Sequence, residues 1–321
     1  QNNRFMVPDS PDADIQPEQP QPIRRLPESW PPPLMVLALT LIAIIMAVIL
    51  GGVITHVLGI VFHYDLVDIM NTIETENTQR HRDILRGSNL VSHLLAFTGA
   101  SVAVMFFVYR KEWATRLGLS RFPGWPAIAA AAGFMLFALP WVQFTYWLNK
   151  QIPLPAWLAD MENQTTGIIQ AILVMESPWE LAFSLLVIAL APAVGEELLF
   201  RGIVQPQISR LWNKPVAAVW VTAILFSIIH FQFAGFIPRM LLGAGLGYLL
   251  LWTRSLWAPI AGHFVINAIQ VIAQYVAKTD LEQAEKSLNI NQLLIPCALV
   301  LPVMFLLGRY LVQKNKLPES G

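Results

Sequence analysis

Apolar residues in this chain gather into unbroken runs, each long enough to cross a hydrocarbon layer of about 30 Å, which takes roughly 20 residues of helix. Eight such runs fall at about 34-61, 91-109, 127-148, 179-201, 215-233, 237-253, 256-277 and 293-312. They predict an all-α, polytopic membrane helix bundle of about eight transmembrane helices. Residues 1-33 are polar and rich in proline, and they read as a disordered tail. Residues 34-313 form the membrane domain and 314-321 a short C-terminal tail.

Helix starts are legible at three places. Ser177-Pro178-Trp179-Glu180 combines an N-cap serine, a first-turn proline and a glutamate three residues on, which starts the fourth helix. Asn213-Lys214-Pro215 and Ser255 to Pro259 are weaker starts for the fifth and seventh. Gly243 and Gly247 stand four apart and predict close packing of the sixth helix on a neighbour. Between the third and fourth helices, the apolar stretch Gly167 to Met175 is too short to span; it reads as an amphipathic connector or a lid lying in the interface.

Composition agrees with this pattern: 55% of the 321 residues are hydrophobic and only 13% charged, with a mean hydropathy of +0.53. The net charge is zero and the basic residues are dispersed, which excludes a nucleic-acid surface. The single cysteine, Cys297, excludes an internal disulfide and a CxxC site. With the N-terminus inside, fourteen Lys and Arg, Arg201 among them, fall on the inner side. Seven fall outside: Arg80, Arg82, Arg86, Lys150, Arg239, Lys278 and Lys286. This asymmetry predicts both termini in the cytoplasm. Trp125, Trp147, Trp179, Trp212, Trp252 and Trp257 fall near predicted helix ends, as interfacial rings do.

Against this apolar background the charged residues of Gly195-Glu-Glu-Leu-Leu-Phe-Arg-Gly202 stand out. Each charge near a bilayer centre costs roughly 2.5 to 3.5 kcal/mol on insertion scales, so such groups mark function. Consecutive residues on a helix point about 100° apart, so Glu196 and Glu197 face different ways. Glu197 and Arg201, at i and i+4, are placed to pair, leaving Glu196 for a cavity. Pro192 removes a backbone donor just before Glu196 and predicts a bend that opens space there. Phe226 and His230 share a face of the fifth helix, with Phe226 a wall of the cavity, and His263 and Asn267 share a face of the seventh. His56, His63, His81 and His93 lie at ends or in loops and read as solvated. A rise of 1.5 Å per residue puts Asn267 about 18 Å and His230 about 22 Å from inner starts, and Glu196 about 27 Å from an outer one. A fourth helix that begins above the membrane, or a bend at Pro192, removes that mismatch, with the site open to the cytoplasmic side.

The ordered set Glu196-Glu197-x-x-x-Arg201, Phe226-x-x-x-His230 and His263-x-x-x-Asn267 resembles the CAAX prenyl protease and bacteriocin-processing (CPBP, Abi) family of intramembrane proteases. The resemblance covers residues 179-277. It implies hydrolysis of a peptide bond in a membrane-embedded or lipidated peptide, with Glu196 as general base on water, helped by His230. By the same likeness His263 and Asn267 bind water, metal or the developing oxyanion, while Glu197, Arg201 and Phe226 support the site. Glu196, His230 and His263 make a candidate Zn2+ site with water in the fourth place; a metal-free glutamate mechanism stands beside it. The implied partners are the lipid bilayer and a membrane peptide or lipidated protein, with no nucleic acid, in a multi-pass protein of a bacterial-type cell membrane. A non-catalytic immunity or scaffold protein of the same fold and a Glu/His-lined transporter are the alternatives. Cys297 lies outside the motifs and neither Ser184 nor Ser227 has a recognisable triad, which disfavours a covalent nucleophile.

Overall fold

The computed structural model describes residues 31–277 and 290–314. Most of the expected tails, with Arg4, Arg24, Arg25 and Lys316, and the outer cations Lys278 and Lys286 lie outside the described residues. Every regular element among the described residues is helical. In chain order they are α1 (Pro33–Phe62), α2 (Leu66–Thr72), α3 (Gln79–Arg116), α4 (Trp125–Asn149), α5 (Ala156–Leu173) and α6 (Pro178–Trp212). Then follow α7 (Pro215–Ile228), α8 (Phe236–Thr253), α9 (Trp257–Ala277) and α10 (Ile290–Lys314). Among the described residues seven helices are long and apolar enough to cross a membrane, α7 being shorter.

The most deeply buried span is α6, which packs against α1, α3, α7, α8 and α9, while α4 and α10 close the far side of α8 and α9. The other spans turn Leu, Ile, Val and Phe outward, as α1 does with Leu41, Ile45, Ile49, Val53 and Ile60. In water such a surface would be untenable; against lipid tails it costs nothing. Trp125, Trp179, Trp212 and Trp257 stand exposed at helix ends.

Three spans differ from the apolar runs, each for a polar reason. The second run was expected at 91-109, but α3 starts at Gln79, where the Thr78 hydroxyl accepts from the His81 backbone N–H as an N-cap. Its first turns are polar because Arg82 and Arg86 are buried there in an ion cluster. The fifth run was expected to reach 233; α7 ends at Ile228, because Phe231 takes a left-handed φ of 52° and residues 229–235 form a tied loop. The fourth was expected to stop at 201, yet α6 continues to Trp212. Arg201 is therefore no loop cation but fully buried, and the charge asymmetry loses one inner and two outer members.

The close packing expected at Gly243 and Gly247 is present. A β-carbon on Gly243 would come within 3.3 Å of Ala223, and one on Gly247 within 2.9 Å of Val219 and the Gln205 amide oxygen. Bare glycines expose their carbonyls, and α6 uses both: Arg201 Nη2 donates to Gly243 at 2.7 Å and Gln205 Nε2 to Gly247 at 3.1 Å.

The connector reading of 149-178 becomes a strap. Ile168, Ala171 and Ile172 of α5 pack on Ile69, Ile73, Leu85 and Ile188. The Glu162 carboxylate accepts from the backbone of Phe233 and Ala234, each at 3.1 Å. Asn149 grips the same loop, donating to the Phe233 carbonyl at 2.6 Å and accepting from the Ile237 N–H at 3.1 Å.

Candidate active site

Two π-helical segments, Leu185–Leu190 and Phe200–Val204, interrupt α6 on either side of Glu196 and Glu197. A π turn leaves a carbonyl short of its usual partner and swings the following residues around the axis, and such turns occur often at functional sites. Pro192 has the same effect, since it offers no N–H to the carbonyl four residues back, which is that of Ile188. The missing donor comes from another helix: Asn267 Nδ2 donates to the Ile188 carbonyl at 3.2 Å. Asn267 of α9 thus supplies the donor that Pro192 lacks, and its side chain is placed on α6 backbone.

The Glu197 and Arg201 pair forms as expected, with Arg201 Nη1 donating to Glu197 Oε1 at 2.8 Å and both side chains fully buried. Glu197 has a second partner: His263 Nδ1 donates to the same oxygen at 2.8 Å. A carboxylate only accepts, so Nδ1 carries the proton and His263 Nε2 turns the other way, 3.9 Å from Glu196 Oε2. That distance is too long for a direct hydrogen bond, so both atoms keep capacity for a third group.

His230 falls in the tied loop just beyond α7, where its Nδ1 donates to the Phe226 carbonyl at 2.7 Å, again freeing Nε2. Phe226 is the wall it was expected to be and also a hub. Its ring lies 5.1 Å from that of His230 and 5.9 Å from that of His263, and the Arg201 guanidinium sits over it at 4.7 Å. Glu196, only 7% exposed, lies among these groups.

His93 corrects its solvated reading. Its Nε2 reaches Glu196 Oε1 at 3.3 Å, its ring stacks on Phe97 at 4.4 Å, and its side chain is 10% exposed. The apolar run began at 91, which put His93 at a helix end; with α3 starting at Gln79 it lies about 21 Å along the helix. Reading Thr78 as an N-cap would have found it.

Among the described residues no group of three or more His, Cys, Asp and Glu side chains is placed to hold a metal ion. Glu196, His230 and His263 present suitable donor atoms without closing into a ligand set. Ser227 Oγ donates to the Phe236 carbonyl at 2.7 Å and Ser184 is fully buried. The depth mismatch is gone, since Glu196 and His263 meet. The first turn of α6, with Glu180, belongs to a separate polar layer with Arg82 and Arg86 of α3.

Residues 178–269 match the family model described as Rce1-like, type II CAAX prenyl endopeptidase Rce1-like. The matched segment contains Glu196, Glu197, Arg201, Phe226, His230, His263 and Asn267. The chain is also similar to the uncharacterized protein YpbD of Bacillus subtilis (strain 168), with 31% identity over 81 residues. That match covers 24% of this chain and 38% of YpbD, so the chain spans well under half the length of that relative. No solved structure matches the chain.

Proposed function

We propose that this multi-pass membrane protein, whose residues 178–269 belong with the Rce1-like CAAX prenyl endopeptidases, is an intramembrane endopeptidase that uses Glu196 to activate water. The observation that carries the proposal is a buried carboxylate left short of partners. Glu196 has one hydrogen bond, to His93, and faces His263 Nε2 across 3.9 Å. A buried carboxylate with one oxygen not claimed by the protein is placed to accept a hydrogen bond from water.

In the proposed reaction Glu196 accepts a proton from water as the water oxygen attacks the scissile carbonyl carbon. His230, with its Nδ1 proton given to Phe226, presents Nε2 to the same water. The carbonyl oxygen takes the negative charge as the carbon becomes tetrahedral, beside His263, whose Nδ1–H stays with Glu197. Collapse of the tetrahedral intermediate breaks the C–N bond as Glu196 returns its proton to the leaving nitrogen. Asn267 acts through α6, by supplying the missing donor to the Ile188 carbonyl. Substrates are lipidated or membrane-embedded peptides, of CAAX type or processed leaders, and both termini face the cytoplasm.

The test uses the full chain in liposomes with a fluorogenic peptide ending in a farnesylated cysteine, two aliphatic residues and one further residue. Wild type cleaves it, and Glu196→Ala and His230→Ala, at equal folded yield, do not. Retained cleavage in both variants overturns the mechanism, and failure of wild type to cleave overturns the CAAX-type substrate. Metal analysis before and after chelation addresses zinc. About one zinc per chain, with cleavage lost on its removal, decides for the metal reading, in which Glu196, His230 and His263 would hold the ion.

A further inference from the structure

We infer that His93, on α3 and outside the matched segment, is a positioning residue that fixes the Glu196 carboxylate for reaction. This rests on the reading of Glu196 as the base. His93 reaches one carboxylate oxygen, Oε1, while the other, Oε2, faces His263. Because an ionised carboxylate only accepts, His93 carries its proton on Nε2, the opposite tautomer to His230 and His263. One oxygen is thereby tied and one left for water. A carboxylate on a three-carbon stem otherwise samples several rotamers, and a misplacement of about 1 Å in a reacting group can cost 10²-fold in rate.

The surrounding chain is shaped to allow this contact. Gly195, next to Glu196, lies directly against α3: a β-carbon there would come within 2.8 Å of the Thr98 hydroxyl, 2.9 Å of His93 Cε1 and 3.0 Å of Phe97 Cβ. Only glycine lets α3 approach this closely. Immediately after His93, α3 itself turns π-helical over Leu94–Gly99, and the stack on Phe97 holds the imidazole plane. Among the described residues His93 Nδ1 is buried with no hydrogen-bond partner, and the ring's bond is the one to Glu196. A histidine kept only for stability would be expected to satisfy both nitrogens.

The test compares His93→Leu, His93→Gln and Gly195→Ala with wild type and Glu196→Ala in the farnesylated-peptide assay, with kcat and KM measured separately. His93→Leu lowers kcat about 10- to 100-fold with KM within about twofold, since it misplaces the base without touching bound substrate. His93→Gln, whose amide N–H can reach Oε1, recovers to within about fivefold of wild type. Gly195→Ala, which keeps the imidazole but pushes α3 and His93 away from Glu196, reproduces the kcat loss and stands in if His93→Leu does not fold. The carboxylate stretch of Glu196, isolated as an infrared difference between wild type and Glu196→Gln, shifts in His93→Leu and returns in His93→Gln. Unchanged kcat in His93→Leu, or a loss that His93→Gln fails to rescue with the band unmoved, overturns the inference while leaving Glu196 as base. Cleavage by Glu196→Ala overturns the base itself, and cleavage failing even in wild type leaves the infrared shift alone to decide for or against His93.

Discussion

Two polar clusters join α3 to α6, one near their outer ends and one deeper, and they differ in how far their hydrogen bonds are satisfied. In the outer cluster Glu180 accepts from Arg82 Nε at 2.7 Å and Nη2 at 3.2 Å, from Arg86 Nη1 at 2.9 Å and from the Glu176 backbone at 2.9 Å. Arg86 goes on to Asp83 and to the carbonyls of Ile172 and Val174, tying in the end of α5. The inner cluster is as buried but leaves His93 Nδ1, Glu197 Oε2 and Arg201 Nε without a partner. Saturation makes a charge cluster inert and stabilising only as a unit; unspent capacity leaves groups that can bind something else. The first cluster fastens the bundle, and the second is the one the proposed reaction uses.

That contrast can be broken at either end. The largest expected effect is Glu196→Gln, which lowers cleavage by about 10²- to 10⁴-fold, the range for a lost general base, while thermal unfolding in detergent is unchanged. A large drop in unfolding temperature would make the inner cluster structural as well. Next is Glu180→Ala, which strands two buried arginines and costs about 3 to 5 kcal/mol in unfolding or collapses folded yield, with kcat of the surviving folded protein at the wild-type value. Wild-type stability would erase the distinction between the clusters. Asn267→Leu leaves the Ile188 carbonyl unpaired and costs about 1 to 3 kcal/mol, and adding Pro192→Ala, which restores the backbone donor, recovers most of it. No recovery would place the importance of Asn267 in the site instead of in α6. Smallest is Glu112→Ala at the exposed Arg116 pair, with a cost within about 1 kcal/mol. A larger loss would mean that surface pairs matter as much as buried ones.

Much of this arrangement was legible in the chain because membrane insertion leaves few reasons for a charge. Glu197 and Arg201 at i and i+4, and the glycines at 243 and 247, were readable from spacing alone. The outer cluster was not, because Arg82 and Arg86 look like loop cations until Thr78 is taken as an N-cap. Once it is, residues 82, 86 and 93 fall on one stripe of α3, at i, i+4 and i+11. The approach of Glu196 to that stripe was hidden for another reason. Sixteen residues of regular helix from Glu180 turn Glu196 about 160° away; one extra residue taken up in the π turn brings it back to about 60°. Where a helix takes in an extra residue is decided by its neighbours, and a periodic reading cannot see it.

The hydrogen bond from Asn267 to the Ile188 carbonyl, 79 residues apart, bears on when the protein becomes active during its synthesis. Until α9 has been made and inserted, α6 lacks both the donor to its Ile188 carbonyl and the histidine that grips Glu197. A growing chain that has threaded only the five long spans before α9 therefore carries Glu196 in the bilayer without the means to aim it. For the proposed peptidase, completion by its late helices would spare its own unfinished copies from premature cutting.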